Sequence, residues 1–595
     1  MPRSGLPPGL APIRSETDEN EIDPAYEKNP KDDTLLPVEP PVPQLSILTP
    51  SNDQLVEQVK GIYTGLVSIE TKIIEVHKSL NDKRQKHGLS DQKWQVLYGL
   101  HKALLQEHYD FYLVTDHPAA TPVLRRLPEK YNMPARMWKY AIHIFLELMR
   151  ENLPTSREYL LSFLYFVYGI VGMLYETVPS RSRIWTECLG DLSRYRMAIE
   201  NQDEDLRQIW CNFSKSWYRA TIDMAPTVGR LYHHMAILSR PNLLAQLFFY
   251  SKSLCTAEPF KPTHESIKTL FNPVMELDVT HRNMYDPVDI AFVAMHGSLF
   301  AAVMNSKSQS ALPNQPDAST PTAAPLPSAF DKSFDTLPAT VEESLAKARS
   351  SCAVFLDNIQ EDLSRRPRKW IENGMYIALS NICALYQYQN KGYFFRTKLT
   401  EPSTTCDIEP PGPSPDSPQY LLARTIFRDT LAVFLKRTPD PSTYSFLEIT
   451  LLFLTHLAWD GKLDTLADTV SWATLEQNVN QQMALSPESK QTRRSPFPRP
   501  AKQSQQQQPH QQPSKQQSMP LPDDYNLRGY QFAENYFPDN WYCSGMEELE
   551  TLMEKQFMQT TRSLRIISLV HTLSFLTRGK YIVYDSVEEC FKIPC

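Results

Sequence analysis

Glycine is scarce in this sequence, at 18 of 595 residues, which argues against loop-rich folds that cradle nucleotides on backbone amides. The nine cysteines are scattered with no Cys-x-x-Cys pair, so neither a zinc ribbon nor a disulfide scaffold is expected, and the odd number fits buried free thiols in a reducing compartment. Positive charge is not in excess: 61 Lys and Arg stand against 68 Asp and Glu, for a net charge of −7. That excludes a globally basic nucleic-acid binder but leaves room for a local patch. No apolar run reaches the roughly 20 residues a bilayer demands. The longest, Leu160 to Tyr175, lies between Glu158 and Glu176 and reads as a central helix buried on all sides. No apolar stretch follows Met1, so no secretory signal is expected and the chain is placed in the nucleus and cytoplasm.

Catalytic patterns are missing as well. There is no Walker loop, no Gly-x-Ser-x-Gly, no His-Glu-x-x-His and no metal-ligand spacing of Cys and His, so neither an enzyme nor a bound metal or cofactor is expected. His233 and His234 would point about 100° apart on a helix and cannot share one metal. Core or groove histidines are the reading for both.

What the chain has in quantity is helical periodicity and proline. The 48 prolines concentrate in linkers and divide a chain too long for one core. Residues 1–45 are polar and proline-rich, a disordered tail. Ser51 and Gln54 form a capping box ahead of Leu55, Val59, Ile62, Leu66, Ile69, Ile73, Val76 and Leu80, a seam that suits either a coiled coil or the first long helix of a bundle. The next helix starts near Ser90 and buries Trp94, Leu97, Leu104 and Phe111, with His101 and Lys102 in its middle turns. Residues 46–275 read as one helical domain. A helical hairpin module follows at 276–305 and 337–480, interrupted by a linker at 306–336 and a turn-rich stretch at 399–417. A Gln/Pro/Ser linker at 481–520 carries Ser486-Pro487 and Ser495-Pro496, a pattern often phosphorylated. The segment 521–595 is expected to fold back on the helices as an aromatic strap.

Two stretches carry candidate chemistry. Trp185 to Arg196 places Trp185, Cys188, Leu189 and Leu192 on one helical face and Glu187, Gly190, Asp191 and Arg194 on the opposite stripe. Gly190 would leave a hollow one turn before Arg194, the wall of an anion groove. Equally, Asp191 and Arg194 make an ordinary i, i+3 surface pair worth about 0.2–0.5 kcal/mol. Residues 125–140 hold Arg125, Arg126, Lys130, Arg136 and Lys139 among Tyr131, Trp138 and Tyr140. Single-stranded nucleic acid uses such a basic–aromatic mixture, and so does a plain solvated face.

Beyond these stretches, Trp217-Tyr218-Arg219-Ala220 leading to Pro226 and Phe249-Tyr250 leading to Pro259 repeat at about the 34-residue period of tetratricopeptide hairpins. Together with Leu189-Gly190-Asp191-Leu192-Ser193-Arg194-Tyr195-Arg196, Leu231-Tyr232-His233-His234-Met235-Ala236 and Phe249-Tyr250-Ser251-Lys252, these phrases resemble the Est-type domain shared by the ever-shorter-telomeres telomerase regulator and the SMG adaptors of nonsense-mediated mRNA decay. The resemblance implies an all-α fold, a 14-3-3-like bundle with tetratricopeptide-type hairpins continued by a helical hairpin module. It also implies a phosphoserine-peptide adaptor that docks a phosphorylated RNA helicase and recruits mRNA decay factors. Arg194 and Tyr195 would hold the phosphate, with Lys102 or His101 as second contact. Arg194 is then expected to be exposed and of little weight for stability. The alternative is a telomerase-associated regulator binding single-stranded telomeric DNA or telomerase RNA. The PIN nuclease domain of some relatives is not expected, since no alternating strand–helix pattern follows the 481–520 linker.

Overall fold

The computed structural model describes residues 50–82, 89–276, 285–310, 340–389, 416–437, 439–485, 520–534, 536–537, 541–543 and 556–594. The expected 1–45 tail, the 311–336 part of the first linker, the 486–519 part of the second with both Ser-Pro pairs, and most of 399–417 lie outside the described residues. Among the described residues the fold is all-α apart from one antiparallel hairpin, Val583–Asp585 with Cys590–Lys592. The chain divides into two compact units between Trp217 and Tyr218. That division falls inside the stretch 46–275 read as one domain, because the hairpin after it packs on helices far along the chain.

In the first unit, Ser51 and Gln54 form the capping box in full: the Ser51 amide donates to Gln54 Oε1 at 2.8 Å and the Gln54 amide to Ser51 Oγ at 3.3 Å. The helix they start, Asn52–Asp82, packs along Asp91–Thr115. Leu55, Val59, Leu66 and Ile73 are buried while Ile62, Ile69, Val76 and Leu80 are half-buried, so this is a bundle helix with an intramolecular partner. The apolar run forms a helix, Arg157–Thr177, of 21 residues. Length alone would let it span a membrane, but it is not buried all round. Leu160, Phe163, Leu164, Val167, Ile170, Val171 and Leu174 face the core, whereas Tyr165 and Met173 are 49% and 45% exposed. Hydropathy hid this two-faced arrangement because the solvent side is aromatic, not charged.

In the second unit Gly229–Leu238 and Leu243–Cys255 form a hairpin, and the latter packs on Pro367–Leu385. Asn242 caps the second helix, its side chain accepting the Ala245 amide at 2.9 Å. The helix Pro287–Ser310 pairs with Val341–Arg365 and runs into the first residues of the expected 306–336 linker. Within the expected helical hairpin module, the part from 444 onward forms Tyr444–Trp459, two 3-10 turns and Trp472–Leu485, which runs into the first residues of the expected 481–520 linker. Tyr444–Trp459 is buried from Tyr444 through Thr455 and again at Leu457 and lies between Pro367–Leu385 and Gln556–Leu576.

Residues 520–534 run over the first hairpin of this unit. The Ala257 amide donates to the Gly529 carbonyl at 3.2 Å, and Thr256 bridges Tyr530. Lys252, fully buried, donates from Nζ to the Asn526 carbonyl at 2.6 Å and lies 4.3 Å and 5.2 Å from the ring centres of Tyr232 and Tyr530. Burial holds its ammonium well below the ordinary lysine range. His233 is also a core residue, with Nδ1 3.1 Å from Thr263 Oγ1, and His234 stacks on Tyr218.

Candidate nucleic-acid interface

The basic–aromatic stretch folds as three single turns, Pro122–Arg125, Leu127–Lys130 and Met133–Arg136, followed by a π-helical stretch Met137–His143 and the helix Ile144–Glu151. Prolines at 122, 128 and 134 each sit in the first turn of a short helix, where the missing amide costs nothing, and proline at 128 and 134 keeps the preceding turn from continuing. This staircase leaves Arg125, Arg126, Lys130 and Lys139 exposed. Tyr131 is 37% exposed, with Lys130 5.6 Å from its ring centre, and Lys139 stands 4.9 Å from that of Tyr140. Arg136 does not belong with them. Its Nε and Nη2 both reach Glu70 Oε2 at 3.1 Å, and the pair is largely covered, so its charge ties Asn52–Asp82 to the staircase. No local pattern announces Arg181, a buried guanidinium that holds Asp116 at 3.0 Å, Glu129 at 3.0 Å and the Arg125 carbonyl at 2.7 Å. Hydropathy carries no sign of a cation spent in this way.

The helix Ser182–Ile199 carries Arg194 and Tyr195, and both depart from expectation. Arg194 is 7% exposed and donates from Nη2 to Asp191 Oδ1 at 2.8 Å. Gly190 opens no hollow: it is buried and its carbonyl accepts the Ser214 hydroxyl at 2.8 Å, so the missing side chain admits a neighbouring helix. Tyr195 is 1% exposed and donates to Glu147 Oε1 at 2.6 Å, while Arg150 donates to Oε2 of the same carboxylate at 2.6 Å. Burial opposes ionisation of Glu147, but the Arg150 and Tyr195 hydrogen bonds outweigh it and its pKa falls. The Tyr195 hydroxyl is pushed far up by burial and by that carboxylate.

Neither candidate for the second phosphate contact joins them. Lys102 is exposed, with Nζ 5.2 Å from the Phe166 ring centre. His101 is fully buried and cannot meet a ligand. Its Nδ1 lies 3.1 Å from the Ala141 carbonyl, which can only accept, so Nε2 is the acceptor for the His77 Nε2 proton at 2.9 Å. Burial lowers His101 to about 3 and His77 to about 4, so both stay neutral. Arg194 and Tyr195 thus sit in a packed acid–base cluster with Glu147, Arg150 and Asp191, not on an open groove.

In the second unit the densest basic run is Arg365, Arg366, Arg368 and Lys369 around Pro367. Lys369 is committed to Asp286 at 2.5 Å and Asp289 at 2.8 Å, and Arg366 to Asp286 and Asp362. Burial raises Asp289 to about 6 although Lys369 opposes it. Arg368 remains exposed. These aspartates lie between 80 and 83 residues away or on the preceding helix, a pairing that no local pattern announces.

Residues 214–373 match the family model described as the Est1 DNA/RNA binding domain. The matched segment starts after every site residue suggested by the sequence, from Lys102 to Tyr195, and contains the Arg365–Lys369 run. The fold is similar to that of a chain in the crystal structure of Est1 and Cdc13, with a TM-score of 0.52 and 9% identity, over 89% of this chain and 99% of that one. No curated protein sequence matches the chain. Residues 214–373 are therefore similar to the Est1 DNA/RNA binding domain, within a chain whose fold is similar to that of the chain in the structure of Est1 and Cdc13.

Proposed function

We propose that this chain is a non-catalytic, nuclear and cytoplasmic scaffold that binds single-stranded DNA or RNA, in the manner of the telomerase-associated branch of its family. The match of residues 214–373 to a DNA/RNA binding domain carries this reading, and the likeness to a structure of Est1 and Cdc13 adds a protein partner of the Cdc13 kind. The nonsense-decay adaptor is the weaker reading, since Arg194 is buried on Asp191 and His101 lies in the core. With a net charge of −7, binding must rest on local cations, and Arg125, Arg126, Lys130 and Lys139 are the exposed set in the first unit.

The test is anisotropy of fluorescein-labelled single-stranded DNA, single-stranded RNA and duplex DNA titrated with the full chain across a salt series. Single strands are expected to bind in preference to duplex. The reversal Arg125→Glu/Arg126→Glu/Lys130→Glu is expected to weaken binding and reduce the salt slope by about 2, at roughly 0.7 per lost single-strand phosphate contact. Equal affinity for duplex and single strands, or no binding at all, overturns the reading. A phosphorylated helicase peptide binding in preference to its unphosphorylated form would instead favour the adaptor.

A further inference from the structure

The solvent face of Arg157–Thr177 is unusual for a bundle helix, whose outward stripe is normally charged or polar. Here it carries Tyr165 at 49% and Met173 at 45% exposure, with half-buried Phe166 and Tyr168 beside them. No carboxylate occurs between Glu158 and Glu176. The face is walled on both sides within the first unit. On one side Tyr98 Oη meets Ser162 Oγ at 3.2 Å, and Lys102 Nζ stands 5.2 Å from the Phe166 ring centre. On the other, Trp210 lies 6.1 Å from the rings of both Tyr165 and Tyr168. Arg196 donates from Nε to Tyr165 Oη at 3.3 Å, which fixes that ring although it stands in solvent. Between the walls the floor is low. A Cβ added at Gly169 or Gly172 would meet nothing within 4 Å, so flat groups have room beside the rings.

We infer that this face is a stacking platform for the bases of single-stranded nucleic acid, with Lys102 as a phosphate contact. The inference rests on the reading above and gives it a second surface, distinct from the Arg125–Lys139 staircase. Sequence-tolerant single-strand sites combine ring faces with cations along the backbone path. Lys102 stands at the rings, and Glu200, the carboxylate paired with the Arg196 that holds Tyr165, is balanced by Arg196 at 2.9 Å and Arg157 at 3.5 Å, so Lys102 is the cation that this face presents to a polyanion. A duplex offers no free base faces to such a platform.

The experiment uses the full chain and single strands containing 2-aminopurine, whose fluorescence is quenched on stacking. Wild type is expected to quench the probe. Tyr165→Ala/Phe166→Ala is expected to bind about tenfold or more weakly, since stacking is worth roughly 1–3 kcal/mol per base, and to lose the quench. Tyr165→Phe keeps the ring and should retain both. Lys102→Glu is expected to lower the salt slope by about 0.7 while leaving the quench in place. Circular dichroism and melting temperature of each variant establish that the bundle is intact. An intact double alanine variant with unaltered affinity and quench overturns the inference. If the Arg125/Arg126/Lys130 reversal abolishes binding while the double alanine variant binds as wild type, the function stands and the platform falls. A wild-type chain that binds no single strand, or a face that takes up only apolar peptides or vesicles, removes the platform as well.

Discussion

Arg194 and Asp191 are 9% and 13% exposed as side chains and 2.8 Å apart, so replacing the guanidinium with a carboxylate would press two like charges together under cover. Breaking a buried pair from one side costs about 3–5 kcal/mol, because the charge that stays behind is no longer compensated. We therefore expect Arg194→Glu to lower the melting temperature of the first unit clearly, by roughly 2–4 °C for each kcal/mol lost. Lys102→Glu, at an exposed position, should stay within about 0.5 kcal/mol of wild type. Arg136 and Lys130 make the same contrast six residues apart. Arg136→Glu should destabilise through Glu70, while Lys130→Glu should change single-strand affinity and leave urea midpoints alone. Urea denaturation of the four variants decides it, and equal midpoints for Arg194→Glu and Lys102→Glu would mean that the Arg194 pair has no net weight.

At the scale of elements, the strap over Gly229–Leu238 and Leu243–Cys255 depends on one backbone position. Gly529 has φ of 86°, and a Cβ there would stand 2.0 Å from the Pro226 carbonyl oxygen, so no other residue can keep both the turn and the contact. Gly529→Ala is expected to release residues 520–534. Amide exchange at Ala257, whose proton is bound to the Gly529 carbonyl, should speed up by orders of magnitude while Leu244 and Leu247 stay protected. Unchanged exchange at Ala257 would show that the strap is held by its side chains alone. The helices themselves were largely legible, since the capping box at Ser51 and Gln54 and the spacing of Leu55, Val59, Leu66 and Ile73 follow from local rules. The burial of charge was not. Arg194 is expected at the surface and no local pattern marks Arg181 or Lys252 as buried, because burial is decided by the elements that pack over them, and the carboxylates around Arg181 and the Tyr530 ring beside Lys252 come from distant parts of the chain. For the same reason Arg157–Thr177 read as fully buried: an aromatic solvent face and a core face have the same hydropathy.

Across the whole molecule, the buried titratable groups give its stability two opposite dependences on pH. In the first unit His77, His101 and His108 are lowered to about 4, 3 and 3, burial being the largest cause for each. The unfolded chain then binds more protons below the ordinary histidine value of about 6.5. Their stabilisation is present above that pH and is lost as pH falls toward 4, at about 1 kcal/mol per histidine between pH 6 and 5.

The second unit contains the opposite case. Asp523 accepts from Arg562 at 2.6 Å, while Asp524 and Glu448 share Arg565 at 2.7 Å and 3.0 Å. Three buried carboxylates face two guanidinium groups, so one negative charge is in excess, and Glu448 Oε2 has no hydrogen-bond partner among the described residues. Burial raises Glu448 to about 7, Arg565 opposing and Asp524 and Asp523 adding to it. A carboxyl raised above its unfolded value favours the fold below about pH 4.5 and loses that contribution as pH rises through 7. His296, lowered to about 4 in the same unit, works against this trend, so the comparison must be between variants. Glu448→Gln keeps the shape and removes the titration. It is expected to melt with wild type at pH 5 and above it at pH 8, by up to a few kcal/mol, since each tenfold weakening of the acid in the fold is worth about 1.4 kcal/mol. Calorimetry of both proteins at pH 5, 6.5 and 8 checks this directly. A difference that is the same at all three values would mean that Glu448 is ionised throughout, with Arg565 alone sufficient to hold two carboxylates.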